Sequence, residues 1–177
     1  MNKDPVMLAY MARQRDLRAT VIETARERNL SMPKHMISLV VSAFSEMGKE
    51  IDGSRVAVLG MAFKDETDDI RNTVAGPIVT GLHDLGARVV VHDPHVRFET
   101  ARRAFEHAHV AKEPHEALRG ADCLVIVTDH KQFRNLRVGE IKELLNRPAA
   151  IVDGRHIFDP KDVLEHGMTY RGVGRTT

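Results

Sequence analysis

The residues best suited to chemistry gather in one loop, Gly60 to Arg71, which reads GMAFKDETDDIR. Before it lies the apolar run Val56-Ala57-Val58-Leu59, and after it Val74, Ile78, Leu82 and Leu85 recur at helical spacing until Gly86. A second apolar run, Val89-Val90-Val91, ends in Asp93-Pro94. This succession predicts a strand–helix–strand unit with a right-handed crossover. Ligands of open parallel sheets collect beyond the carboxyl ends of the strands, which is where this loop falls. It is not a dinucleotide turn, because the later glycines of G-x-G-x-x-G, which let backbone approach a pyrophosphate, are missing. Phe63 and Lys64 stand there instead. An aromatic ring beside an ammonium suits a base or sugar packed on Phe63 and a phosphate or carboxylate held by Lys64. The same pair also reads as a core phenylalanine followed by a solvated lysine. Asp65 to Asp69 lacks the glycine and closing glutamate of a calcium loop, so the acidic run predicts a turn with helix-capping carboxylates. Arg71, at the expected helix start, opposes the helix dipole and hints at an anionic partner.

Other candidates are weighed the same way. Arg155 follows the apolar run ending at Val152 and falls on the same sheet edge as Lys64. Two cations and an aromatic ring converging there suit a nucleotide diphosphate sugar, since guanidinium grips oxygens bidentately while ammonium acts as a point charge. Asp93 occupies the place of a ribose-binding acid, but Pro94 argues equally for a structural turn. Cys123 lies inside the apolar run to Val127, the setting of an inert core cysteine. None of the ten histidines forms an i, i+4 pair with an adjacent glutamate, and there is no cysteine pair, so no metal site is predicted. His107 and His109 are expected at a solvent-facing helix end.

These residues need elements to position them. Pro5 starts a helix with Met7, Leu8 and Met11 on its apolar face. A second helix is predicted over Leu17 to Arg28, with Val21, Ile22 and Ala25 inward and Asn29 as its stop. Its basic outer face reads better as solvated than as phosphate-binding. Ser31 and Pro33 begin a third helix, which runs to Gly48. Its apolar set, Met36, Ile37, Leu39, Val40, Val41, Ala43, Phe44 and Met47, is wider than burial on one side requires. The turn cluster Ile51 to Ser54 divides a helical segment, residues 1–52, from an α/β domain, residues 53–177. In that domain helices are expected near Glu99 to Glu106, over Pro114 to Leu118 and around Val138 to Leu145. Further strands are expected near Val110, within Ala121 to Thr128, at Ala149 to Val152 and in the tail MTYRGVG. Alternating strands and helices give a Rossmann-like α/β fold: an open parallel sheet with helices on both faces, preceded by an N-terminal α-helical segment, to which the family resemblance set out next assigns dimerisation.

LGMAFKDETDDIRNT, followed by GARVVVHDP, closely resembles the nucleotide-sugar dehydrogenases that oxidise UDP-glucose, UDP-N-acetylmannosamine or GDP-mannose at C6. NKDPVML, NLSMPKHM, IVDGRHIF and YRGVGR extend the resemblance over essentially the whole chain, to the family's C-terminal UDP-binding domain and the helices before it. MAFK and DDIRN look closer to the UDP-N-acetylhexosamine branch. The resemblance implies that Phe63, Lys64 and Arg155 contact a UDP-sugar, and that Lys3 and Arg71 approach NAD in the complete enzyme. Asp4 would be the acid beside the catalytic cysteine. The family's G-G-x-C-x-x-K-D segment would place that cysteine immediately before Met1. The chain is therefore expected to lack both the nucleophile and the NAD-binding domain, and to be inactive and without NAD by itself. A homodimer through residues 33–48 is implied, as is a separate N-terminal half carrying the NAD domain. The alternative is a free-standing, non-catalytic nucleotide-sugar binding and dimerisation module.

Composition fits this picture. Lys and Arg number 26 against 25 Asp and Glu, so no charge excess points to nucleic acid or an anionic membrane. No apolar run approaches a membrane span, no signal peptide is evident, and the single cysteine excludes an internal disulfide. A cytoplasmic protein is expected.

Overall fold

The computed structural model describes residues 4–175; Lys3 lies outside them. Two compact units part at Pro33–Lys34. The first contains α1 (Asp4–Arg13) and the opening turns of α2 (Thr20–Glu46). Pro5, Val6, Ala9 and Tyr10 of α1 face Ile22, Glu23, Arg26 and Leu30 across a shallow groove. Arg13 pairs there with Glu23 at 2.7 Å. Met7, Leu8 and Met11, read as the apolar face, are exposed, as are Val21 and Ala25, whereas Ile22, also expected inward, is half-buried and Ala9 is buried. The predicted stop at Asn29 is also absent, and α2 runs through Ser31 and Pro33. Proline lacks the N–H that would bond the Asn29 carbonyl; Pro33 itself is buried, but Asn29 is exposed, so water can take up the freed carbonyl. The Ser31 hydroxyl donates to the Arg28 carbonyl at 2.8 Å and so stays within the helix.

In the second unit six parallel strands take the order β3-β2-β1-β4-β5-β6: β1 (Arg55–Leu59), β2 (Arg88–His92), β3 (Ala108–Val110), β4 (Cys123–Ile126), β5 (Ala150–Asp153) and β6 (Thr169–Gly172). The apolar runs are continuous because both faces of the sheet are covered. Val56 and Val58 join one core layer with Met36, Val40, Ala43 and Phe44 of α2 and with Ile78, Val79 and Leu82 of α3 (Ala75–Asp84). Ala57 and Leu59 point the other way, toward Ala117 and Leu118 of α5 (Pro114–Leu118) and Ile141 of α7 (Val138–Leu144). The second half of α2 therefore covers the sheet, and its apolar width is largely explained by one-sided burial. Of its large apolar residues, Val41 alone remains exposed among residues 34–46.

The chain reverses direction across the sheet between β1 and β4, the usual place for a ligand crevice. α4 (Phe98–Ala104), α6 (Lys131–Arg134) and α8 (Pro160–Glu165) complete the connections. The last two, of four and six residues, are too short for periodicity to show. His109 lies on β3 rather than at a helix end, because α4 stops at Ala104.

Candidate functional site

The polypeptide leaves β1 through Gly60, at φ +97°, and its N–H donates to the His92 carbonyl at 2.9 Å. A Cβ here would lie 2.5 Å from the backbone nitrogen of Thr128, so only glycine lets β1 and β4 exit side by side. The following loop is shaped by Asp93, just past β2. Its Oδ2 accepts from the N–H groups of Met61 at 2.6 Å and Ala62 at 2.9 Å, and lies 3.0 Å from Nε2 of buried His130. Its Oδ1 accepts from the N–H groups of His95 and Val96. Burial alone would raise the Asp93 pKa, but the bonds from His130, Met61, Ala62 and His95 outweigh it and hold the carboxyl at about 2. Asp93 is thus a structural acid, wholly engaged by its own chain.

Beyond this bracing the loop turns outward, and Phe63, Lys64, Asp65, Thr128, Asp129 and Arg155 line a cleft of about 330 Å³ at the carboxyl ends of β1, β4 and β5. The structure thereby brings together Phe63, Lys64 and Arg155, the three residues picked out as substrate contacts. Phe63 is 40% exposed, so its ring is not a core residue. The Arg155 Nε donates to the Val127 carbonyl at 2.6 Å, and its N–H donates to Asp153, which is fully buried. That anchors the guanidinium while its terminal nitrogens have no partner among the described residues. The Lys64 ammonium has none either. Of the two acids in the cleft, Asp129 is paired with Arg134, whose Nε donates at 2.7 Å. The cleft therefore offers uncommitted positive charge next to an exposed ring.

Arg71 does not join them, and it does not start a helix, since α3 begins at Ala75. Its guanidinium is engaged bidentately by Asp69, at 2.8 and 2.7 Å, which holds the Asp69 carboxyl at about 2. Asp69 is thus an anionic partner for Arg71 within the chain. The neighbouring carboxylates form a turn as expected, but α3 has no side-chain cap. Asp4 sits at the exposed start of α1, and Lys3 is outside the described residues. Cys123 is fully buried in β4, and burial pushes its thiol strongly upward, so no thiolate forms there.

Sequence reasoning missed Thr128, Asp129 and His130. The available signal was their position just beyond the apolar run of β4. It also missed that Glu66, His95 and His130 meet, with donor atoms within 4.8 Å of one another. A cation there would need the His130 Nδ1 lone pair, and the Glu66 N–H already points at that atom from 3.0 Å. The cluster is a hydrogen-bonded array that joins the loop to α6.

Residues 57–160, more than half of the chain, match the UDP binding domain of the UDP-glucose/GDP-mannose dehydrogenase family. The chain belongs to this family. It is 37% identical over 173 residues to a UDP-glucose 6-dehydrogenase of Rhizobium meliloti (strain 1021), covering 98% of this chain and 38% of that protein. It is 30% identical over 151 residues to a UDP-N-acetyl-D-mannosamine dehydrogenase of Methanococcus aeolicus, covering 85% of this chain and 31% of that protein. Among solved structures, the crystal structure of an NDP-N-acetyl-D-galactosaminuronic acid dehydrogenase from Methanosarcina mazei Go1 superposes with a TM-score of 0.81. The identity there is 34%, over 88% of this chain and 32% of that one. The chain thus spans about a third of the length of the family members it matches, and its cleft lies inside the UDP-binding domain.

Proposed function

We propose that the cleft of Phe63, Lys64 and Arg155 binds the UDP-sugar of a nucleotide-sugar dehydrogenase. The observation that carries this reading is the convergence of two uncommitted cations and an exposed aromatic ring at the sheet's crevice, within a UDP-binding domain. Lys64 and Arg155 neutralise the diphosphate, and Phe63 packs on the base or sugar. In the whole enzyme the C6 alcohol is oxidised to a carboxylate with NAD as acceptor. Arg71, with its Asp69 partner, Lys3 and Asp4 serve the cofactor and catalytic side. Residues 1–52 then act as the helical dimerisation segment and 53–177 as the UDP-sugar domain, working with an NAD-binding domain beyond this sequence or on a separate chain. Relatives of both kinds support a UDP-hexose or UDP-N-acetylhexosamine as substrate. Among the described residues no helix is long and apolar enough to cross a membrane, and the lone cysteine is buried and free, which suits the cytoplasm.

Titration calorimetry with UDP tests the reading. Charge-assisted bonds contribute on the order of 1.5–3 kcal/mol each, so Lys64→Ala and Arg155→Ala should each weaken UDP binding about tenfold or more. Added salt should weaken the wild type. Wild-type affinity retained in both variants would remove the cleft from consideration.

A further inference from the structure

The segment carrying Phe63 and Lys64 has no regular structure of its own, so its conformation depends on its ties to the rest of the domain. At the near end the Met61 and Ala62 N–H groups donate to Asp93, and the Thr128 hydroxyl donates to the Ala62 carbonyl at 2.7 Å. At the far end the Glu66 N–H points at His130 Nδ1 from 3.0 Å, and the Glu66 carboxylate accepts from the Lys131 N–H at 3.0 Å. Glu66 itself sits at φ +55°, a conformation a glutamate keeps only when its surroundings impose it. Between the two ends Phe63, Lys64 and Asp65 form an arch that lines the cleft, with the Phe63 N–H donating to the Asp69 carbonyl at 2.7 Å.

Among the described residues, His130 is the side chain that bonds both the Glu66 N–H at the far end and Asp93, the acceptor that holds the near end, and it is fully buried. Its Nε2 lies 3.0 Å from the Asp93 carboxylate, an acceptor only, so Nε2 carries the proton. Nδ1 then has the lone pair that receives the Glu66 N–H. Asp93 thus selects the tautomer, and the tautomer holds the arch. We propose that His130 is a positioning residue for nucleotide binding, fixing Phe63 and Lys64 through the acceptor role of its Nδ1. The inference rests on the reading of the cleft as the UDP site.

Two substitutions each preserve one half of the imidazole. In His130→Asn the amide oxygen takes the place of Nδ1, keeping the bond from Glu66 and losing the one to Asp93. In His130→Gln the amide nitrogen takes the place of Nε2, keeping Asp93 and losing Glu66. In the 177-residue chain both variants should melt below the wild type. UDP affinity should stay within about twofold of wild type in His130→Asn and fall by about tenfold in His130→Gln, as a loop competent only a tenth of the time requires. A merely structural role predicts another order: affinity would follow melting temperature, and His130→Asn, which gives up the bond to a buried carboxylate, would bind no better than His130→Gln. That order overturns the proposal, as does wild-type affinity in His130→Gln. Should neither variant fold, the wild type still decides. A through-hydrogen-bond ¹⁵N–¹⁵N coupling between the Glu66 amide and His130 Nδ1 is expected in the UDP complex, and its absence overturns the proposal. Failure of the underlying reading looks different. Then the wild type does not bind UDP, or Lys64→Ala binds it unchanged.

Discussion

Five hydrogen bonds end on the Asp93 carboxylate, four from backbone N–H groups and one from His130, which is more than an exposed turn aspartate gathers. Its ionised form is therefore bound into the fold. The carboxyl sits at about 2 against an ordinary 3.8, so the unfolded chain takes up the proton first as pH falls. The stabilisation is complete above about pH 4 and is lost as pH drops through about 2, a difference of roughly 2–3 kcal/mol. Asp93→Asn should cost about as much at neutral pH, since an amide cannot accept on both sides, and should flatten the acid limb of stability. Urea unfolding at a series of pH values between 7 and about 2 measures both effects. Arg71 separates cofactor from substrate: Arg71→Ala should leave UDP affinity within about twofold of wild type, because its guanidinium is spent on Asp69 outside the cleft. Calorimetry showing a loss as large as that of Lys64→Ala would redraw the division of the loop. Phe63, Lys64 and Arg155 could be found in the sequence because each follows a recognisable strand end. The Asp93–His130 pair could not, because its partners are 37 residues apart and the acidity of Asp93 depends on burial that no local pattern encodes.

The central strands were legible for a simple reason: where both faces of the sheet are covered, strand residues are mostly apolar, and uninterrupted runs such as Val56 to Leu59 stand out. Helices fared unevenly. α3 and α7 announce themselves by spacing, α6 and α8 have too few residues to show a period, and α2 absorbed two expected helices because the one carbonyl that Pro33 leaves without a helical partner belongs to exposed Asn29. Where two strands leave the sheet together, the glycine between them is decisive. Gly60→Ala must accommodate a methyl carbon 2.5 Å from the Thr128 backbone at a left-handed φ, so we expect a loss of about 2–4 kcal/mol and weaker UDP binding as β1 and β4 separate. Gly76→Ala in α3, with nothing within 4 Å of the new carbon, should be neutral or stabilising by up to about 1 kcal/mol. Thermal unfolding of the two variants side by side distinguishes a steric requirement at Gly60 from a general cost of replacing glycine.

At the scale of the molecule, a chain spanning 38% of the Rhizobium meliloti relative carries the nucleotide end of the proposed reaction. The 177-residue chain alone should reduce no NAD with any UDP-sugar, as followed by absorbance; turnover abolished by Cys123→Ser would overturn both that and the reading of Cys123 as core. Assembly is argued from what remains uncovered. Val6, Met7, Leu8, Tyr10, Met11, Leu17, Val21 and Leu30 are exposed in the first unit, and Val41, Phe63, Leu85 and Leu164 in the second. Apolar surface left in water is disfavoured by roughly 25 cal/mol per Å², which favours self-association. We propose a homodimer that includes residues 33–48, where Val41, 42% exposed, is the contact to test. Phe44 is no test: it is 2% exposed in the domain's own core, and Phe44→Glu would unfold the domain rather than part a dimer. Light scattering at high micromolar concentration should therefore give a dimer for the wild type and a weakened one for Val41→Glu, with the thermal midpoint of the α/β domain unchanged. A wild-type monomer at that concentration would sink the dimer, and a Val41→Glu dimer as tight as the wild type would move the contact away from residues 33–48.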